Sequence, residues 1–387
     1  ISNFRIVKGT AVYSAAFTPP TERLTAIDGT VLLACQSPGN IFQEETGKIL
    51  DIRKVSSNDA PPMASRFVPD KGEDHGTTFE DNTKFDTLSY MVPPGGRTDQ
   101  RGRGRAVFAG GWSSTPTDVN TMDYVEIQSM GTAIDFGDLT VAEAWAGASG
   151  AASATRGVLP GGNPGGGAVN IIEYITIATT SNATDFGDMT AVLRYVTSCS
   201  NQTRGLVGGG DPGSGASNII QYLTIATTGN AADFGDLTVA RLNMASCGSS
   251  TRGLWAGGQN PSYNNTIDYS TIATTGNATD FGDMTYTAAD PNGLSSSTRG
   301  IFSGGYISPS PNVKDNIDYV TIASTGNATD FGNLVAGKGN ASPASNSTRG
   351  LIGGGLYYPA RTNFIDYITI ATTGNAADFG DLSQARD

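Results

Sequence analysis

The segment Arg204–Arg241 reads RGLVGGGDPGSGASNIIQYLTIATTGNAADFGDLTVAR, and the chain repeats it six times with variations. Its Asp-Phe-Gly triplet marks the register, with successive triplets 50, 48, 47, 50 and 48 residues apart. The phenylalanines of the triplets are Phe136, Phe186, Phe234, Phe281, Phe331 and Phe379. The arginines that open the copies are Arg105, Arg156, Arg204, Arg252, Arg299 and Arg349. Self-similarity at a fixed period near 48 indicates an array of repeated structural units.

Within one copy the hydrophobic pattern has a period of two. In Ile172–Ala178 the side chains alternate between two mostly small or apolar faces, which is typical of a strand covered on both sides. Each copy reads as four strands: a small-residue strand such as Asn243–Ser249, a strand ending in a Gly doublet such as Leu254–Gly258, a Tyr/Thr/Ile strand, and a strand through Asp-Phe-Gly. Four strands at this period make a propeller blade. The sequence therefore predicts an all-β fold, a six-bladed β-propeller with a small N-terminal β segment.

The copies divide the chain into three regions. Residues 1–60 form an N-terminal β segment, 61–100 a linker with the first propeller strand, and 101–387 the propeller. We place the repeats near 105–155, 156–203, 204–251, 252–298, 299–348 and 349–387. Leu88–Val92 is the candidate first strand of blade one. Whether the ring then closes by packing of whole blades or through a shared blade stays open.

Four features of each copy resemble the kelch repeat. The third copy has a Gly doublet at Gly208-Gly209, a tyrosine at Tyr222, an aromatic residue at Phe234 and an arginine at Arg241. Kelch repeats usually carry Trp where all six copies here have Phe, so the chain resembles a divergent kelch-like group. The resemblance covers about three-quarters of the chain and implies a β-propeller.

A second resemblance is to phage proteins. Thr271–Thr285, TIATTGNATDFGDMT, is similar to repeats in tail-fibre and virion-associated proteins of marine tailed bacteriophages, including cyanophages. Residues 1–36, with strand-like Phe4–Val7 and Val31–Ala34, resemble the closing strands of laminin-G/concanavalin-like domains of the same fibre proteins. The alternative for this segment is an adaptor. The resemblance implies an extracellular virion protein that contacts other virion proteins, forms a homo-oligomer in the particle and binds host-surface glycan or protein. The chain opens in strand pattern without Met, from which we expect it to be the C-terminal part of something longer.

The charge and hydropathy of the chain indicate which kinds of partner it does not bind. The net charge is −12 and charged residues are 16% of the chain, which argues against a nucleic-acid partner because phosphate binding needs clustered Lys and Arg. No apolar run approaches the ~20 residues of a membrane span. We therefore expect neither nucleic-acid binding nor membrane insertion.

The motifs that could indicate catalysis or metal binding lack the other residues that such sites need. Asp-Phe-Gly without a phosphate loop or catalytic His-Arg-Asp predicts architecture, with Phe between blades, Asp capping a turn and Gly permitting a bulge. Calcium at Asn277, Asp280 and Asp283 is the weaker alternative, because the EF-hand spacing is missing. Cys199 and Cys247 read as buried apolar side chains, and the chain has a single histidine, His75. We expect no enzyme activity, no cofactor and no metal.

The repeated arginines have two interpretations. Arg156, Arg204, Arg252, Arg299 and Arg349 stand at the turn between the first two strands, where each one would clamp a carboxylate or carbonyl of the neighbouring blade. The alternative is a ring of arginines that binds an anion at one channel mouth.

The insert after each Gly doublet varies while its flanks keep register. The inserts are Trp112–Val119, Asn163–Val169, Asp211–Ser217, Gln259–Thr266, Tyr306–Asp315 and Leu356–Asn363. Variable loops on one face of a rigid scaffold are where recognition usually lies. Their aromatic residues, which can stack on sugars or anchor a protein contact, are Trp112, Tyr263, Tyr306, Tyr357 and Tyr358. We expect host recognition through this face; the alternatives are a purely architectural virion component and a propeller glycan hydrolase or oxidase.

Overall fold

The computed structural model describes residues 4–7, 30–34, 104–113, 118–143, 150–309 and 312–387. The chain divides into two compact units, Ile1–Asn82 and Thr83–Asp387. In the first unit, strands β1 (Phe4–Val7) and β2 (Thr30–Ala34) pair antiparallel. These are the two strands predicted there. Candidate strand Leu88–Val92 lies outside the described residues.

In the second unit the described strands form six antiparallel blade sheets and one two-stranded hairpin, and all blades but the sixth are built from consecutive strands. Blade one contributes three described strands: β3 (Arg105–Ala109), β4 (Thr121–Glu126) and β5 (Ile134–Asp138). Blade two comprises β6 (Ala151–Ala152), β7 (Arg156–Pro160), β8 (Val169–Thr176) and β9 (Thr184–Leu193). Blade three comprises β10 (Thr197–Ser200), β11 (Arg204–Gly208), β12 (Ile219–Thr224) and β13 (Ala232–Asp236).

The remaining three blades repeat this pattern. Blade four comprises β14 (Ala245–Gly248), β15 (Arg252–Ala256), β16 (Asn264–Thr271) and β17 (Thr279–Ala288). Blade five comprises β18 (Asn292–Ser295), β19 (Arg299–Ser303), β20 (Asn316–Thr321) and β21 (Thr329–Asn333). Blade six comprises β22 (Ser342–Ser345), β23 (Arg349–Gly353), β26 (Phe364–Thr369) and β27 (Ala377–Asp381), with the hairpin β24 (Leu356–Tyr357) and β25 (Ala360–Arg361) inserted. The predicted fold class, an all-β six-bladed propeller arrangement, is confirmed.

The first strands of successive blades lie side by side around the centre of the ring. Their small residues suit this crowded position. In blade three, Cys199 lies directly under Gly253 of blade four, where an added Cβ would come within 2.3 Å of the thiol sulfur. The glycines after four of the repeated arginines, Gly205, Gly253, Gly300 and Gly350, thus allow the inner strand of the preceding blade to approach.

The Asp-Phe-Gly triplet forms a β-bulge in every blade. In blade three, Ile220 pairs with Gly235 and Gln221 with Asp233, which leaves Phe234 as the extra residue. Its ring is buried, 2% exposed, and packs edge-on against Tyr222 with centroids 6.2 Å apart. The predicted bulge is therefore present.

The strand that carries the triplet is capped by the turn asparagine of the next blade and not by the triplet aspartate. Asp233 is exposed, whereas Asn277 Oδ1 of blade four accepts a hydrogen bond from the Asp236 backbone N–H at 3.1 Å. Gly235 approaches the same turn so closely that an added Cβ would lie 2.5 Å from the Gly276 carbonyl. The expected aspartate cap is replaced by a cap from the next blade.

Blade six packs on blade one through side-chain and backbone contacts. Arg349 Nη1 donates to the Ile127 carbonyl at 3.0 Å, and Arg386 forms a 3.1 Å ion pair with Asp123. The Trp112 backbone N–H donates to the Asp387 carbonyl, and Ser113 pairs with Arg386 as an isolated β-bridge. The described strands of blade one all come from 105–138 and those of blade six from 342–381. Between these strands the ring closes by packing of one blade on the other.

Candidate binding face

All six inserts emerge at one end of the blades. Each follows the Gly doublet that ends a second strand, and the linkers from each fourth strand to the next blade lie at the same end. Insert and linker pair directly, as in the bridges Leu242–Gln259, Ala289–Tyr306 and Gly339–Leu356. We call this end the insert face and the opposite end, which carries the repeated arginines, the turn face.

The blade-six insert forms its own hairpin and exposes aromatic rings. Tyr357 is 53% and Tyr358 58% exposed. Phe364, at the start of β26 directly after the insert, is 56% exposed. Sequence reasoning missed Phe364. The available signal was an aromatic residue at a position where the other copies have Thr, Ile or Asn.

Arg361 fixes this hairpin to the adjoining blade. Its guanidinium stacks over the Trp112 ring at 4.6 Å, and its Nε pairs with Asp387 Oδ1 at 2.7 Å. Trp112 is half-buried. Two predicted aromatics from different inserts, Trp112 and Tyr357, are thereby brought to the same seam between blades six and one.

Tyr306 and Tyr263 are less exposed to a ligand than Tyr357 and Tyr358. Both are half-buried, and both form isolated β-bridges within their own inserts, Tyr306 with Val313 and Tyr263 with Gln259. The Tyr306 ring lies against Gly339, and its hydroxyl accepts a 3.3 Å hydrogen bond from Asn340 Nδ2. Burial raises the pKa of the Tyr306 hydroxyl. These two tyrosine side chains therefore pack within the insert face and do not project from it.

A cavity opens at the channel mouth on the insert face. Four residues at equivalent positions of the linkers line it, and all four have left-handed backbones, with φ between 52° and 58°. We call them the mouth ring: Tyr195, Asn243, Asp290 and Asn340. Positive φ is uncommon outside glycine and favours Asn and Asp, which three of the four residues satisfy.

Asp290 is the unusual member of the mouth ring. Burial by the surrounding protein, reinforced by the nearby Asp387, raises the pKa of its carboxyl to about 8. Asp290 lines the cavity and is only partly exposed.

On the turn face, the repeated arginines are engaged between blades. Arg252 Nη1 donates to the Ile322 carbonyl of the next blade at 2.9 Å, while its guanidinium stacks over Tyr269 of its own blade at 4.6 Å. The other arginines make the same pair of contacts: Arg105, Arg156, Arg204, Arg299 and Arg349. This geometry matches the carbonyl clamp, with one Nη1 of each arginine donating to the neighbouring blade.

A second set of inter-blade contacts lies beneath the insert face. The third strand of each blade carries a polar residue that the preceding blade approaches. At three junctions a cation meets a carboxylate: Arg241–Asp268 at 2.7 Å, Lys338–Asp366 at 3.4 Å and Arg386–Asp123 at 3.1 Å. All six of these side chains are at most 4% exposed. We call these contacts the junction pairs.

At two other blade junctions the polar residue of the third strand has no cation beside it. Leu193 and Gln221 hold the repeat positions of Arg241 and Asp268. Gln221 Oε1 accepts hydrogen bonds from the Thr190 backbone N–H and hydroxyl. Tyr286 donates from its hydroxyl to the Gly304 carbonyl at 3.0 Å, the carbonyl equivalent to one that Arg241 contacts.

The junction between blades one and two brings two acids together. Burial raises the pKa of Glu143 to about 8, with added repulsion from Glu173 and Asp118. Glu173 accepts from the backbone and hydroxyl of Thr140 through Oε1. Its Oε2 is buried with no hydrogen-bond partner.

The described residues contain no group of three or more His, Cys, Asp or Glu side chains arranged to hold a metal ion. Cys199 and Cys247 are buried and free, and burial raises the pKa of the Cys199 thiol to about 12. Within the described ranges there is no helix long and apolar enough to cross a membrane.

No protein-family model matches this chain, and no curated protein matches it.

Proposed function

We propose that this chain is a non-enzymatic adhesion module of a phage virion appendage, and that its insert face attaches to glycan or protein on the host cell surface. The observation that supports this is a separation of roles between repeated and unrepeated residues. The repeated arginines, phenylalanines and turn asparagines are used between and within blades. The exposed aromatic rings of the insert face lie in the unrepeated blade-six insert and beside it. The virion setting rests on the resemblance of the repeats to kelch-like phage fibre proteins.

The blade-six surface suits a ligand with flat apolar faces. Tyr357, Tyr358 and Phe364 are each more than half exposed, and aromatic rings stack on sugar faces or serve as anchors in protein contacts. Arg361 and Trp112 hold the base of the hairpin. The aromatic rings are therefore presented on a supported hairpin.

Binding of the purified full chain to intact cells of candidate marine hosts and to a polysaccharide array tests this proposal. Replacing Tyr357, Tyr358 and Phe364 by Ser is expected to weaken binding at least tenfold, because anchor residues each contribute about 1–2 kcal/mol or more. The matched control replaces Met130 and Ile134, each 61% exposed at the blade-one turn, by Ser. Equal binding by both variants would contradict the proposal.

A second candidate function is a purely architectural role in the particle. The exposed apolar pair Met130 and Ile134 on the turn face favours it, since such a patch fits contact with another virion subunit. In that case the Met130/Ile134 variant would fail to assemble into particles, and the aromatic variant would assemble normally.

A further inference from the structure

One position of the repeat supplies a cation to the blade that follows. Eight residues after the triplet aspartate, three blades carry such a side chain: Arg241, Lys338 and Arg386. Each cation meets a third-strand carboxylate that pairs with the triplet aspartate of its own blade: Asp268, Asp366 and Asp123. Glu143 and Glu173 hold these two positions at the junction between blades one and two. An acid therefore stands where the other three junctions have a hydrogen-bond donor.

Only one oxygen of the Glu173 carboxyl has hydrogen-bond donors. Oε1 accepts from the Thr140 backbone N–H at 2.8 Å and from the Thr140 hydroxyl. At the junction of blades three and four, Asp268 accepts from the Thr238 hydroxyl through Oδ1 and from Arg241 through Oδ2. Glu173 is 3% exposed, and its Oε2 has no partner in the described part of the chain. The oxygen that corresponds to the cation-bound oxygen of Asp268 therefore lacks a donor.

The Glu143 side chain reaches blade two and is 4% exposed. Its carboxyl oxygens lie against Gly162, where an added side chain would have no room. The neighbouring Asn163 is also buried, and its Oδ1 has no partner among the described residues. The charged groups of the described residues that act on Glu143 are Glu173 and Asp118, which are both acids. The unpaired buried oxygens at this junction are acceptors, so a proton on Glu143 would supply the missing donor.

We propose that Glu143 is protonated in the closed ring and donates a hydrogen bond to Glu173 Oε2, and that release of this proton to solvent opens the junction between blades one and two. A protonated carboxyl carries one O–H donor, whereas two ionised carboxylates in one buried site repel each other. Burial, which raises the pKa of Glu143, agrees with this assignment. The Arg241–Asp268 junction needs no such proton, because an arginine stays charged.

The opening acts on the insert face. The Gly111 backbone N–H donates to the Glu143 carbonyl at 2.9 Å, which ties the start of the blade-one insert to this junction. The inserts of blades one and two are joined by the Gly165 N–H, which donates to Asp118 Oδ2 at 2.8 Å. On the turn face the same two blades are clamped by Arg105, which donates to the Ile177 carbonyl at 2.9 Å. Loss of the proton therefore loosens the insert end of the junction and leaves the turn end closed.

Hydrogen exchange of the full chain between pH 5 and pH 8 tests the opening. The backbone N–H groups of 139–143 and 237–241 donate to equivalent acceptors at the two junctions, so the second segment is an internal control. The closed junction holds a proton that the open one releases, so opening becomes easier as the pH rises. After correction for intrinsic exchange, protection of 139–143 is expected to fall at least tenfold, within the limit of about tenfold per pH unit for one proton. Protection of 237–241 is expected to stay constant.

Two variants test the shared proton from its two sides. Glu143→Gln, whose amide donates at every pH, is expected to keep 139–143 protected at pH 8. Glu173→Gln offers an N–H donor to the Glu143 carboxylate and should reduce the pH dependence while Glu143 stays in place. Asp315→Asn, which removes an exposed carboxylate from the blade-five insert, is the matched control and is expected to behave like the wild type.

Infrared spectra observe the proton directly. The difference between wild type and Glu143→Gln is expected to show the carbonyl band of a protonated carboxyl at pH 6, and this band should disappear as the pH rises through 8. The proposal is overturned if the band is absent at pH 6, if protection of 139–143 and 237–241 changes in parallel with pH, or if Glu173→Gln keeps the full pH dependence of the wild type.

Discussion

At the scale of single residues, the triplet glycine is fixed by the blade beside it. Gly235 has φ of 146° and Gly276 has φ of 154°, so an alanine at either position is strained. They differ in surroundings: an added Cβ at Gly235 meets the Gly276 carbonyl at 2.5 Å, whereas at Gly276 it meets nothing within 4 Å.

This difference gives a paired prediction. Gly276→Ala is expected to lower the free energy of unfolding by about 1–3 kcal/mol, the cost of backbone strain. Gly235→Ala is expected to cost a further ~1–3 kcal/mol because the neighbouring blade must shift. Denaturant unfolding of the two variants measures the difference. Equal losses would show that the blades do not approach each other this closely.

Glu143 predicts a pH dependence of stability. Burial raises its pKa from 4.5 to about 8 in the folded chain, so between these two pH values the folded state holds a proton that the unfolded state has released. Stability from this group is therefore complete below about pH 4.5, falls as the pH rises towards 8, and is lost above it. The slope is at most ~1.4 kcal/mol per pH unit.

Glu143→Gln is expected to remove this slope between pH 5 and pH 8, because the amide does not titrate. Thermal unfolding of wild type and variant at several pH values measures it. Asp315→Asn, at an exposed position, should leave the slope unchanged. A wild type whose stability rises from pH 5 to pH 8 relative to Glu143→Gln would contradict the assignment.

At the scale of strands and blades, the junction pairs offer an internal comparison. Arg241 and Asp268 are fully buried and paired at 2.7 Å, whereas Leu193 and Gln221 fill the equivalent junction without charge. Arg241→Leu alone leaves the Asp268 carboxylate buried without its cation and is expected to cost about 3–5 kcal/mol.

The double variant Arg241→Leu with Asp268→Gln is expected to regain most of that loss and to unfold within ~1–2 kcal/mol of the wild type. The reason is that Gln221 Oε1 keeps the contact to Thr190 that Asp268 makes to Thr238. Chemical denaturation of the two variants compares them. With Asp268→Gln also measured alone, a double variant whose loss equals the sum of the two single losses would argue against a coupled pair.

Much of the strand and blade structure could be predicted from the sequence. The two-residue period and the Gly doublets predicted four strands per copy, because strand alternation and turn chemistry are local. The junction pairs could not be predicted, since Arg241 and Asp268 lie 27 residues apart and meet only when adjacent blades pack. The same holds for the turn asparagines, which cap the strand of another blade.

At the scale of the whole molecule, the repeat predicted the ring and the face that carries the inserts. It did not predict which insert stands out, because exposure of Tyr357 and Tyr358 depends on the hairpin that β24 and β25 form. Nor did it indicate the mouth ring. Tyr195, Asn243, Asp290 and Asn340 each lie ten residues after a triplet aspartate, but only the structure shows that these positions share a left-handed backbone and line one cavity.

The central claim is that the unrepeated insert face meets the ligand while the repeated turn face holds the ring together. Hydrogen exchange of the full chain, alone and mixed with host cell envelopes, tests it most directly. We predict slower exchange on binding in peptides covering 356–364, with no change in the turns around 201–204 and 249–252. Protection confined to the turn face, or to the blade-one turn that carries Met130, would contradict the account.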